Sequence, residues 1–210
     1  MGRVNELKKE SNTPYNKLAK AISYLFSAPL FALYSTIIIV LEANKEIQPL
    51  PPHTAILVGF IFLTFLPLLP IILGSLRGHV DLFVSEREKR PLYFAFAILS
   101  YTLGAVTCHL IGSRLFLIIN VSYLITTISM TIATLKLKVS VHLAGVTGPA
   151  TYITYFLGPK NLPLYLVAIP VAWARIKLGA HTPREALLGA TISIITTITT
   201  IHTLNTLLPP

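Results

Sequence analysis

Seven apolar runs divide the chain: Ile22–Leu41, Ala55–Leu76, Leu92–Ser113, Leu115–Leu135, Val139–Leu157, Leu162–Ala174 and Ala186–Leu208. Most hold the roughly 20 residues that a helix needs to cross the hydrocarbon core of a bilayer. Inside lipid every peptide group must be satisfied within the segment, so runs of this length form helices whatever their intrinsic propensity. The last run, rich in Ile and Thr, is expected to be helical for that reason. The sixth has only 13 residues and contains Pro163 and Pro170, which predicts a short, tilted or partly buried helix. Charged residues make up 12% of the chain, about half of the roughly 25% usual in soluble domains. The expected fold is therefore all-α: a multi-pass transmembrane bundle of six to seven helices. It occupies residues 21–210 as one domain, behind a polar, lysine-rich segment at 1–20.

The formal net charge is +9, but its distribution speaks for topology rather than for nucleic acid. With seven crossings, one side receives the N-terminal segment, the loops at 77–91 and 175–185, and residues 136–138. The other side receives only Lys45, Arg114 and Lys160 of the 17 basic residues. That leaves 14 against 3, and basic loops stay in the cytoplasm. The first side is expected to be cytoplasmic, in a cell membrane. No soluble basic domain is present to hold a nucleic acid. The single cysteine, Cys108, lies within an apolar run, so no disulfide framework is possible.

Three polar clusters fall on that same side: "DLFVSEREKRP" from Asp81, "KVSVHLAG" from Lys138, and "WARIKLGAHTPREALLGA" from Trp173. Ionisable residues at a membrane boundary suggest function. The third cluster places Arg175, His181 and Glu185 at intervals of six and four. A carboxylate four residues beyond a histidine lies on the same helix face and fixes the tautomer of the ring. A nearby guanidinium offers a fork of donors to phosphate oxygens. Simpler roles exist for the same residues. Thr182-Pro183-Arg184-Glu185 fits a capping box with proline at the first helical position. Arg175, Lys177 and Trp173 fit an interfacial anchor.

The spacing Arg-x5-His-Thr-Pro-x-Glu, followed by "LLGA", resembles the third signature of the type 2 phosphatidic acid phosphatase (PAP2) superfamily. The run Val139-Ser140-Val141-His142 resembles its second signature, and "SEREKRPL" its basic first one. The resemblance spans roughly Asp81 to Ala190 and the final helix. The chain departs from the family at three points: Glu185 replaces the usual Asp, Val141 a Gly, and Phe83 the Lys that opens the first signature. Two whole apolar runs also separate the first two signatures. The pattern is closest to a divergent branch with an Asp, paired arginines and a Lys-x-Ser-x-His motif.

The resemblance implies a PAP2-like bundle and a metal-independent lipid-phosphate phosphatase working through a phosphohistidine. His181 would attack phosphorus, Glu185 orient it, and His142 protonate the leaving group. Arg175, Ser140, Arg90, Arg87 and Lys138 would hold the phosphate oxygens. The expected substrate is the phosphomonoester or diphosphate of a lipid, such as phosphatidic acid, phosphatidylglycerol phosphate or a polyprenyl phosphate. No cofactor or metal is expected. Asp81 is the only aspartate, so chemistry that gathers several aspartates around magnesium cannot be assembled. His53, His79, His109 and His202 have no ligand spacing and are taken as ordinary loop or core histidines. Two other functions remain open: a transporter or scaffold that keeps the shape without the chemistry, and a lipid phosphotransferase.

Overall fold

The computed structural model describes residues 13–43 and 50–207. Most of the polar segment at 1–20 and the end of the last apolar run, Leu208, lie outside the described residues. So do the side-defining residues Arg3, Lys8, Lys9 and Lys45. The described chain is all-helical. Its elements are α1 (Pro14–Leu25), α2 (Ala28–Glu42), α3 (Pro52–Leu76), α4 (Arg90–Leu110), α5 (Arg114–Thr134), α6 (Val141–Leu157), α7 (Ala168–Lys177) and α8 (Pro183–Leu207). Four of them, α3, α4, α5 and α8, are long and apolar enough to cross a membrane, and the pair α1–α2 would make a fifth if counted as one span.

The first apolar run is not one helix, as the sequence suggested. It breaks at Phe26 and Ser27, and α1 and α2 meet at 53°. Pro29 is the cause. It lacks the N–H that would bond the carbonyl of Leu25, and its ring would clash there, so it can only open a new helix. Helix α1 also starts earlier than expected, at Pro14, where the Thr13 hydroxyl accepts a hydrogen bond from Asn16 N. It packs against α7. The second run bulges into a π-helical stretch at Phe60–Phe65, just ahead of Pro67 and Pro70. Such bulges absorb the hydrogen bonds that prolines remove.

The sixth run also differs from the expected helix. Gly158, with φ of 92°, ends α6, and Pro159–Val167 follows as a 3-10 helix before α7 begins. A 3-10 helix rises about 2.0 Å per residue against about 1.5 Å in an α-helix. The stretched form lets a short segment reach between the two ends of the bundle.

Helix α6 is the axis of the molecule. Every residue from His142 to Ile153 is buried, as expected of a helix that is apolar all round. Helices α2 and α8 flank it. The main core, around Ile39, Leu63, Phe116, Tyr152 and Ile201, fills one half of the bundle. A smaller core of Phe31, Leu143, Val146, Val171 and Ala186 fills the other. The end beyond the main core is tied by polar contacts. Arg114 Nη2 donates to Asn205 Oδ1 at 2.9 Å, Asn205 Nδ2 donates to the Tyr155 hydroxyl at 2.9 Å, and Lys160 pairs with Glu42 at 2.7 Å. Residues 42, 114, 160 and 205 thus share one end, as the alternation of the runs predicted.

Candidate active site

The three polar clusters meet at the opposite end. Backbone atoms join them: Ser140 N donates to the carbonyl of Glu185 at 3.1 Å, linking the second cluster to the third. Arg90 links the first to the second, with Nε on the Val84 carbonyl at 2.9 Å and Nη1 on the Val139 carbonyl at 3.0 Å. Close approach here depends on Gly189 in "LLGA". A Cβ at that position would collide with the carbonyl oxygen of Ser140.

His181 is buried at the junction. Its Nδ1 lies 2.9 Å from the carbonyl of Lys138. A carbonyl can only accept, so Nδ1 carries the proton and Nε2 keeps its lone pair. Glu185 Oε2 is further off, 3.5 Å from Nδ1. The same oxygen accepts from Thr182 N at 2.9 Å, while Thr182 Oγ1 accepts from Glu185 N at 3.3 Å. The capping box is therefore formed, and Glu185 is both cap and histidine neighbour. Burial, then the charges of Arg90 and Arg175, push the His181 pKa below its ordinary value, against the pull of the Lys138 carbonyl and Glu185. The ring is neutral at pH 7.

Arg175 and His142 are buried beside it. Arg175 Nε and His142 Nε2 have no hydrogen-bond partner in the protein. A buried donor or acceptor left unpaired costs about 1–3 kcal/mol, so these two atoms are where a ligand would be welcome. Ser140 caps α6, its hydroxyl accepting from Leu143 N at 3.5 Å. Among the described residues neither Arg90 nor Arg175 ion-pairs with a carboxylate.

Arg87 and Lys138 sit further out. Arg87 Nη1 bonds the Lys136 carbonyl at 3.2 Å and its Nε lies 3.5 Å from Glu88. Both residues line a solvent-side cleft with Glu185 and Ser85. The expected site residues therefore form two tiers: Arg90, Arg175, His142, His181 and Ser140 inside, Arg87, Lys138 and Glu185 at the rim.

Phe83 was not expected in the site. Its ring lies 4.9 Å from the Arg175 guanidinium carbon and 5.1 Å, edge-on, from the His142 ring. It comes from a tight turn. Asp81 accepts from Phe83 N at 3.1 Å, Ser85 N at 2.7 Å and Ser85 Oγ at 2.9 Å. Partial burial alone would raise the Asp81 pKa, but these bonds outweigh it and hold the carboxyl below its usual value. Val84 follows with φ of 45°. A β-branched residue there is strained, by about 1–3 kcal/mol. Buried packing and the Arg90 bond to its carbonyl hold it in place. The only sequence signal was an aromatic residue at the position where the resembled family has lysine. Among the described residues no three His, Cys, Asp or Glu side chains gather in a way that could hold a metal ion. No family model, curated protein or solved structure matches the chain.

Proposed function

We propose that the chain is an integral-membrane phosphatase for lipid phosphates, built as a PAP2-like bundle of seven crossings with α6 and the Pro159–Lys177 segment as the two additional spans. The observation that carries this reading is the pairing of a tautomer-fixed His181 with two buried arginines and the unpartnered Nε2 of His142. In the first step Nε2 of His181 attacks phosphorus and the bond to the lipid oxygen breaks. His142, taking up a proton as the phosphate binds, gives it to that oxygen, releasing a lipid alcohol. In the second step water attacks the phosphohistidine, His142 takes a proton from that water, and inorganic phosphate leaves. Arg90, Arg175 and Ser140 stabilise the charge on the non-bridging oxygens throughout. Arg87 and Lys138 at the rim steer the anion inward. The distribution of basic residues, 14 against 3, favours a cytoplasmic site in a cell membrane.

The test is phosphate release from short-chain lipid phosphates in detergent containing EDTA. His181→Ala should lower the rate by about a thousandfold or more; undiminished release would remove His181 as nucleophile. One observation favours a second reading, a transporter or scaffold without chemistry: Phe83 fills the place of a cation and stacks on Arg175. Binding of inorganic phosphate without any turnover in wild-type protein would select it. Transfer of phosphate to a lipid alcohol in place of water would identify a phosphotransferase.

A further inference from the structure

A cavity of about 380 Å3 opens directly behind the inner tier and runs into the bundle. Arg90, His142 and Phe83 line it at the site; Tyr101, Tyr123 and Tyr152 line its far part. Its course follows the helix axes. On α4 it is lined by Arg90, Tyr93, Phe94, Ala97 and Tyr101, and on α6 by residues from Val141 to Tyr152. Each stripe covers eleven helical steps, roughly 16 Å, about half the ~30 Å hydrocarbon core. The three tyrosines close the far end as a layer, with ring centroids 5.2 Å apart for Tyr101–Tyr123 and 6.3 Å for Tyr123–Tyr152. Tyr152 is anchored by its hydroxyl to Ser35.

The lining is chemically apolar despite its hydroxyl residues. Ser122 Oγ donates to the Ile118 carbonyl, Ser193 Oγ to the Ala144 carbonyl, and Thr126 Oγ1 shares a hydrogen bond with Thr196 Oγ1. With those groups engaged by the bundle, the wall is mostly methyl and ring surface, and the Tyr123 hydroxyl, without a partner in the protein, marks its far end. Ala97 and Ala144 are small where α4 and α6 face the space, while Gly145 and Gly148 let Ala28 and Ser193 pack directly on α6. Toward the lipid, α2 and α3 touch at Pro29 and Thr64, where the Thr64 hydroxyl donates to the Pro29 carbonyl at 3.2 Å. Beyond Thr64 the rest of α3 packs on α4, and Leu68, Ile71 and Ile72 turn toward the cavity opposite Leu30.

We propose that this cavity seats one hydrocarbon chain of the substrate, so that the protein selects single-chain lipid phosphates by the length of their tail. This rests on the reading of the inner tier as a phosphate site. The chain passes between the first turn of α2 and the second half of α3, and lies between α4 and α6. Its end meets the tyrosine layer. Its volume of about 380 Å3 suits one such chain, and a second chain on the same headgroup is left outside it. Each methylene that enters gains about fourfold in affinity, the equivalent of ~0.8 kcal/mol; methylenes beyond the tyrosines gain nothing.

The experiment uses the full chain in detergent and a series of n-alkyl phosphates from butyl to hexadecyl, with dilauroyl phosphatidic acid beside them. Wild-type kcat/KM should rise with chain length to a break and then flatten, and the diacyl lipid should fall well below dodecyl phosphate. Ala97→Leu fills the middle of the cavity. It should move the break to shorter chains and lower the dodecyl-to-butyl ratio at least tenfold. Tyr101→Ala deepens the cavity and should move the break to longer chains; it carries the test if Ala97→Leu does not fold. A smooth rise without a break, a break that neither variant moves, or equal rates on the diacyl lipid would overturn the proposal. If wild-type protein hydrolyses no member of the series, the phosphatase reading fails separately. The cavity is then judged by native mass spectrometry with dodecyl phosphate: loss of the bound lipid in Ala97→Leu supports the seat, and equal retention rejects it.

Discussion

His181 owes its tautomer to a main-chain oxygen. The Lys138 carbonyl accepts a hydrogen bond from Nδ1 at 2.9 Å, and Glu185 stands behind at 3.5 Å while closing its own helix. Glu185→Gln separates those duties, because glutamine still closes a capping box. Thermal stability should stay nearly unchanged. Glu185 raises the His181 pKa, so removing its charge should shift the acid limb of kcat/KM to lower pH and reduce kcat. An unaltered pH profile at full rate would make Glu185 a cap alone. The same histidine makes stability depend on pH. Its folded pKa lies below the unfolded value of about 6.5, so the unfolded chain takes up the proton first. Stability is complete above that value and falls as pH drops through the window beneath it. Comparing the unfolding midpoint at pH 7.5 and pH 5, the wild-type chain should lose more than His181→Gln. Phe83 has a different duty: its ring orients Arg175 and His142. Phe83→Leu keeps bulk and loses the cation–π contact, worth about 0.5–2 kcal/mol. KM for a lipid phosphate should rise several-fold with little change in melting temperature.

Among the elements, the pairing of the 136–140 segment with α8 depends most on one position. At Gly189 the α8 backbone meets Ser140 without an intervening side chain. Gly189→Ala forces backbone apart and should cost about 1–3 kcal/mol, read as a lower melting temperature, with activity falling further than stability because Ser140 and His142 move together. The helix that starts at Pro183 was legible in the sequence, since a capping box and a His–Glu interval of four are local patterns. The convergence of the clusters on one end was legible too, through the alternation of apolar runs. Other features were not. The role of Lys138 belongs to its carbonyl, and backbone atoms carry no residue identity. The inward turn of Phe83 depends on a strained Val84 and on Arg90, seven positions away from the ring it helps place. The break at Ser27 could be anticipated from Pro29, but apolarity continues through it and masks it. The Pro159–Val167 segment does carry a local signal, since Gly158 ends α6 and Pro163 removes an α-helical hydrogen bond, but the apolar residues around Pro163 read equally well as a helix.

At the scale of the whole molecule, one end carries the cationic cradle and the other the Arg114–Asn205–Tyr155 and Lys160–Glu42 contacts. Ser85 lies at the rim of the first end. Ser85→Cys, placed in a Cys108→Ala background, should react with an impermeant maleimide only after cells are permeabilised. Labelling of intact cells would reverse the orientation. The guanidinium groups of Arg90 and Arg175 are restrained by carbonyl oxygens and an aromatic ring. Such partners fix position without neutralising, and among the described residues no carboxylate pairs directly with either group. Millimolar inorganic phosphate should therefore act as a missing structural ion and raise the melting temperature, while an equal ionic strength of chloride should not.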